Sequence, residues 1–219
     1  MLVGNRMSHP VITVYPDTLL QDALDLMQKE KIRRLPVVDH RGKLIGIVSE
    51  RVLLKAYPSD ATSLSVWEMR SIMKKVTIEE FLTREVITVT EDTPLEEAAR
   101  IMTDNHISGL PVMRDDKLIG FITETDLFKI FLEVMGARDP GVRISAEVTR
   151  QPGVLASITK AIYELGGDIM ALGTFMGESA DTGEILVKVD CVDPKQAVEA
   201  IKPFVVKVVD VRGVSSKRD

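Results

Sequence analysis

The chain contains an internal repeat, which limits its possible folds more than any other feature. The tetrapeptide VITV occurs at residues 11–14 and again at residues 86–89, an offset of 75. The offset continues into a Leu-Pro-Val triplet that begins at Leu35 in the first copy and at Leu110 in the second. One residue is lost in the turn that follows, so the offset becomes 74. This self-similarity indicates one supersecondary unit used twice.

Each copy contains the same predicted elements. A short β-rich run leads through a polar turn into a helix whose apolar residues recur at helical spacing. In the second copy, residues 92–94 (DTP) are a typical helix start, because proline is favoured in the first turn. Two strands joined by a charged turn come next, and a last helix begins near Val52 or Asp126. The sequence therefore predicts a β-α-β-β-α unit that is carried twice.

This doubled unit resembles a CBS domain pair over about residues 1–135. The resemblance rests on strands of the type I-x-x-L-P-V and on the glycine-containing segments that follow them. In copy two that segment is GFITETD, residues 120–126, and it fits the family's nucleotide-site pattern at every position. In copy one it is GIVSERV, which keeps the hydroxyl residue but places Val52 where the acidic residue belongs.

The pattern changes after Gly136. The remaining segments predict the order β-α-β-β-α-β, which is ferredoxin-like, with Asp193 as the N-cap of the second helix. Within it, the segments RQPGVL (150–155) and GGDI (166–169) resemble the ACT domain. The whole order is similar to that of bacterial acetoin-utilisation-type CBS/ACT proteins.

The predicted fold class is α+β. We expect a tandem CBS pair followed by an ACT domain, with these bounds: first CBS repeat 1–60, helical linker 61–77, second CBS repeat 78–136, linker 137–141 and ACT domain 142–213.

The CBS resemblance implies two ligand clefts between the repeats, each built from both copies. Asp126 is expected to accept hydrogen bonds from ribose hydroxyls, and Arg33 and Arg34 to bind phosphate as fixed forks of donors. Isoleucines and a proline of copy one would form an apolar floor for adenine. The residues expected to bind the nucleotide are Ile12, Ile32, Arg33, Arg34, Pro36, Thr123, Thr125 and Asp126.

The mirror cleft is expected to bind ribose more weakly, because Val52 cannot replace the acid. Its expected residues are Ser49, Arg51, Ile87, Ile107, Ser108 and Pro111.

The ACT resemblance implies a small ligand, such as an amino acid, where the first helix of that domain begins. Free N–H groups at a helix start favour a carboxylate. Arg150 stands where the family's amino-acid binders usually carry Asp or Asn, so a purely dimerising domain is the open alternative. The residues expected at this ligand site are Gly153, Val154, Leu155 and Asp168.

Composition argues against several other classes of protein. The net charge of −5 is unfavourable for a nucleic-acid surface. The single Cys191 and the lack of CxxC and HxxxH spacings argue against a disulfide and a metal site. The sequence shows neither an apolar run long enough to span a membrane nor a signal peptide, so we expect a cytoplasmic protein.

These patterns predict a non-catalytic regulatory protein, because no nucleophile–base pair is visible. It is expected to sense an adenine nucleotide (AMP, ATP or S-adenosylmethionine), to require no cofactor and to form a homodimer. A regulated enzyme is a candidate partner, whereas nucleic acid and membrane are not. The alternative is an oligomerising adaptor with vestigial ligand sites, which Val52 and Arg150 favour.

Overall fold

The computed structural model describes residues 1–56 and 75–214. They belong to two compact units, Met1–Leu127 and Phe128–Asp219. The helix predicted between the repeats, after Thr62, lies outside the described residues.

The first repeat combines two helices with a two-stranded antiparallel sheet. Helix α1 turns Leu20, Ala23 and Met27 inwards, which is the spacing of a helix with one apolar face. The bounds are α1 (Leu20–Glu30), β1 (Arg34–Val38), β2 (Leu44–Ser49) and α2 (Glu50–Lys55).

The second repeat has the same arrangement with one additional short strand. That strand, β3, pairs parallel to β4, and β4 pairs antiparallel to β5. The counterpart of the β3–β4 pair in the first repeat is a single parallel bridge between Val14 and Val37. The bounds are β3 (Val89–Thr90), α3 (Leu95–Asp104), β4 (Gly109–Arg114), β5 (Lys117–Thr123) and α4 (Glu124–Val134).

Each repeat is completed by the segment that precedes the other one. Ser8 bridges Phe121 of the second repeat, and Thr83 bridges Ile47 of the first. Residues 1–8, predicted as part of the first repeat, therefore make their sheet contacts with the second. Two short 3-10 helices lead into these bridges, Val3–Asn5 and Ile78–Phe81.

Gly120 and Gly46 lie where the two bridging segments, around Met7 and Thr83, approach the sheets. A Cβ on Gly120 would lie 2.0 Å from Sδ of Met7. A Cβ on Gly46 would lie 3.0 Å from the carbonyl oxygen of Thr83. Any side chain at position 120 would therefore have to displace the Met7 side chain, and one at position 46 would press on the main chain of Thr83.

The second unit has the predicted order β-α-β-β-α-β. Its antiparallel sheet has the strand order β7-β8-β6-β9. Asp193 caps α6 as predicted, because its carboxylate accepts hydrogen bonds from the N–H groups of Lys195 and Gln196. The bounds are β6 (Gly141–Thr149), α5 (Val154–Glu164), β7 (Asp168–Met176), β8 (Thr182–Asp190), α6 (Pro194–Ile201) and β9 (Lys207–Val214).

One face of this sheet forms the core of the unit with its two helices. Alternate residues of β6 and β8 point into that core together with Ile158, Ile162 and Ile201. Lys188 lies between two core valines of β8 and is itself buried. Its ammonium group donates to the carbonyl oxygens of Gly136 and Asp139. The predicted 137–141 linker is therefore hydrogen-bonded to the sheet through Lys188.

Candidate functional site

Asp126 and Thr123 form a reciprocal cap at the start of α4. The Thr123 N–H and hydroxyl both donate to Oδ2 of Asp126, at 3.0 and 2.7 Å. The Asp126 N–H donates in return to the Thr123 hydroxyl at 3.3 Å. This arrangement is a capping box, with an aspartate in the acidic position. It fixes the carboxylate that the sequence assigned to ribose binding.

The first repeat has no such cap. Ser49 is the N-cap residue of α2, but its side chain makes no capping hydrogen bond. Val52, at the position of Asp126, is 37% exposed. The two clefts therefore differ in the stability of the adjacent helix start as well as in charge.

Arg34 connects the two repeats. Its guanidinium donates to the hydroxyl of Ser108 and, at 3.5 Å, to the Ser108 carbonyl oxygen. Ser108 precedes Gly109, which pairs with Thr123 across β4 and β5. The structure thus brings Arg34 of copy one to the same sheet end as Thr123 and Asp126 of copy two. Ser108, which the sequence assigned to the mirror cleft, is the contact residue.

Burial lowers the pKa of Arg34, the nearby Glu124 carboxylate opposes that shift, and the Arg33 cation adds to it. Arginine nevertheless remains charged in proteins. Arg33 itself is exposed. A partly desolvated cation between the repeats favours an anionic ligand group.

The predicted apolar floor is only partly accessible. Ile12 and Ile32 are half-buried and pack against the core of the first repeat. Pro36 is buried, and its carbonyl accepts the N–H of Val14 at 3.1 Å. Thr125 is exposed. Only the exposed edges of Ile12 and Ile32 could therefore contact an adenine ring.

The predicted mirror cleft, which includes Arg51, lacks counterparts of both Arg34 and Asp126. The offset of 75 pairs Arg34 with Gly109. A Cβ on Gly109 would lie 2.7 Å from Cε1 of Phe121, so a side chain there would have to displace the Phe121 ring. This difference between the copies is visible in the repeat alignment, but it was not among the predicted differences. With Val52 in the acidic position, the mirror cleft has neither of the two charged groups that the first cleft has.

The other mirror-cleft residues vary in accessibility. Arg51 and Ile87 are exposed, Ser49 and Ile107 are half-buried, and Pro111 is buried.

A separate cavity of about 420 Å³ lies at the opposite end of the sheets. It is lined by residues near the turns after β1 and β4, among them Lys43 and Asp115. Neither Arg34 nor Asp126 lines it. It is therefore distinct from the predicted clefts.

The structure separates the residues predicted for the ACT ligand. Gly153 is the N-cap of α5, and its φ of 92° is one that glycine adopts without strain. Val154 is half-buried and Leu155 exposed at this helix start. Asp168 follows the far end of the 11-residue helix. A helix rises about 1.5 Å per residue, so roughly 15 Å separate the two ends, and Asp168 lies far from Gly153 within one chain.

Arg150 precedes this helix start. Its N–H donates to the carbonyl oxygen of Asp181 at 2.9 Å, and its guanidinium contacts Sδ of Met176 at 3.5 Å.

Within residues 1–56 and 75–214, no group of three or more His, Cys, Asp or Glu side chains could hold a metal ion. No helix there is both long enough and apolar enough to cross a membrane.

The CBS domain model matches residues 3–59 and 78–133, just over half of the chain. Two curated relatives are enzymes. An L-aspartate semialdehyde sulfurtransferase of Methanocaldococcus jannaschii is 34% identical over 59% of this chain and 23% of its own length. An inosine-5′-monophosphate dehydrogenase of Aquifex aeolicus is 32% identical over 86% of this chain and 36% of its own length. The chain thus spans only a minor part of either relative.

Solved structures similar to this chain include ligand complexes. The CBS domain pair of protein MJ0100, in complex with 5′-methylthioadenosine and S-adenosyl-L-methionine, has a TM-score of 0.50 and 34% identity, covering 60% of this chain and 95% of that one. CBSX2 in complex with AMP has a TM-score of 0.51 and 31% identity, covering 61% and 97%. An AcuB-like protein from Vibrio cholerae has a TM-score of 0.52 and 32% identity, covering 64% and 98%.

Proposed function

Because the chain belongs to the CBS domain family, we propose that it is a non-catalytic, cytoplasmic regulatory protein whose CBS pair senses an adenine nucleotide. Relatives of similar fold bind AMP, S-adenosylmethionine and 5′-methylthioadenosine. We also propose that the domains have the bounds predicted from the sequence and that the C-terminal domain is an ACT domain.

The contact between Arg34 and Ser108 is the observation that carries the proposal. It places a partly buried cation from one repeat beside the Thr123–Asp126 cap of the other. In this arrangement Asp126 accepts hydrogen bonds from the ribose, and Arg33 and Arg34 bind the 5′ substituent. Such an arrangement suits a ligand with a ribose at one end and an anionic group at the other.

The C-terminal unit is proposed to be a regulatory ACT domain. Its ligand site, if it holds an amino acid, uses the helix start at Gly153, Val154 and Leu155, and Asp168 is left out of it. A purely dimerising role remains the alternative there, because Arg150 replaces the acidic or amide residue of the family's amino-acid binders.

We further propose that the protein is a homodimer and that it acts on a regulated enzyme. Helix α4 supports self-association, because none of its residues, all of which the structure describes, is buried. An adaptor with vestigial ligand sites is the second candidate, and the absence of counterparts of Arg34 and Asp126 from the predicted mirror cleft favours it.

Calorimetry on the purified chain separates the two candidates. AMP, ATP, S-adenosylmethionine and NAD are titrated in turn, alongside a panel of amino acids. The sensing proposal expects saturable binding of at least one adenine ligand, with about one strong site per chain. If none of them binds, and mass spectrometry finds no co-purifying nucleotide, the adaptor is the better description.

A further inference from the structure

Glu124 lies beside the arginine that is proposed to bind the 5′ substituent of the nucleotide. The Glu124 N–H donates to the Ser108 carbonyl oxygen at 3.2 Å. Arg34 donates to that same oxygen at 3.5 Å and also to the Ser108 hydroxyl. The main chain of Glu124 and the guanidinium of Arg34 therefore meet at one oxygen, the Ser108 carbonyl, which brings the exposed Glu124 residue close to Arg34.

The electrostatic relationship between the two side chains agrees with this geometry. Burial lowers the pKa of Arg34, and the Glu124 carboxylate acts in the opposite direction by favouring the cation. A carboxylate close enough to stabilise Arg34 also repels any further anion that approaches it. The phosphate-binding end of the cleft therefore holds a counter-charge of its own.

We propose that Glu124 is a specificity-determining residue, which sets the charge of the 5′ substituent that the first cleft accepts. It disfavours a polyphosphate and favours a neutral, singly phosphorylated or cationic substituent. This inference rests on the proposed function and adds to it the class of ligand, namely AMP or a sulfur-containing adenosine in preference to ATP.

The repeat supplies a matched control. Glu50 starts α2 as Glu124 starts α4, and its N–H donates to the carbonyl oxygen of Arg33 at 3.0 Å. Arg33 is the counterpart of Ser108 in the repeat. The main chain of Glu50 therefore has the role of the Glu124 main chain, but the carboxylate that acts on the pKa of Arg34 is that of Glu124.

The test compares Glu124→Gln and Glu50→Gln with the parent chain by calorimetry. Glu124→Gln should raise the affinity for ATP about tenfold and for AMP about threefold, since a nearby like charge is removed. The affinity for 5′-methylthioadenosine, which is uncharged at its 5′ position, should stay within about twofold. S-adenosylmethionine, whose sulfonium is cationic, should bind about threefold more weakly.

The opposite signs for ATP and S-adenosylmethionine cannot arise from a general loosening of the fold. Equal changes for all four ligands, or the same pattern from Glu50→Gln, would overturn the inference while leaving nucleotide sensing intact. If none of the four ligands binds the parent chain, the proposed function fails, and this inference fails with it.

Discussion

Asp126 and Thr123 hold each other in a two-way set of hydrogen bonds at the first turn of α4. The carboxylate that is proposed to bind ribose is therefore also a helix cap. Its counterpart Val52 can do neither, which explains why one substitution between the copies changes both the ligand chemistry and the local structure.

Asp126→Ala is expected to weaken adenine-nucleotide binding by about 10-fold to 100-fold, because hydrogen bonds to a charged acceptor are each worth roughly 1.5–3 kcal/mol. Loss of the two hydrogen bonds that the carboxylate accepts from Thr123 should also cost about 1 kcal/mol of folding stability. Val52→Ala should change neither quantity appreciably. Calorimetry and urea unfolding of the two variants measure both effects, and equal behaviour of the two would contradict the assignment of the stronger cleft.

Replacing Arg33 and Arg34 together by Ala should weaken AMP binding much more than adenosine binding. Only the phosphate loses its partners, since adenosine keeps Asp126 and the isoleucine edges. Salt should weaken AMP binding to the parent chain and have less effect on the double variant, because fewer charges remain to be screened. Calorimetry with both ligands at two salt concentrations decides this. An equal loss for AMP and adenosine would remove the two arginines from the site.

The repeat made most of the first unit predictable, because one alignment fixed the elements of both copies. It could not predict that residues 1–8 pair with the second repeat. This pairing depends on which repeat lies next to Met7 and Ser8 in the folded chain. A local sequence pattern does not contain that information. The cap at Asp193, by contrast, needs only neighbouring residues and was predicted correctly.

The candidate site was also predictable only in part. Motif positions led to the prediction that Asp126 and Arg34 bind the nucleotide. They did not explain Gly109, because the ring that crowds this position belongs to Phe121 on the neighbouring strand. The family motif grouped Asp168 with Gly153, whereas the 11 residues of α5 stand between them.

Gly109→Ala should destabilise the chain, because the new methyl group would lie 2.7 Å from the ring of Phe121. Overpacking of this kind costs about 1–3 kcal/mol. Gly213→Ala is the control, since a Cβ there meets no atom within 4 Å. Its effect should stay within about 0.5 kcal/mol. Urea unfolding of both variants gives the comparison, and equal stability would show that Phe121 can move aside.

The protein is expected to be a homodimer that uses an exposed face of α4. Phe128, Phe131 and Leu132 are 67%, 54% and 38% exposed, and their i, i+3, i+4 spacing places them on one side of the helix. Apolar residues clustered in this way favour burial against another surface, for which a second copy of the chain is available. Light scattering at micromolar concentration should give twice the chain mass of 24.3 kDa.

Phe128→Asp combined with Phe131→Asp should shift the protein to the monomer. The control is Tyr163→Asp, which changes an exposed aromatic residue on α5 and should leave the dimer intact. A parent chain that scatters as a monomer would rule out the dimer, and an unaffected double variant would place its interface elsewhere.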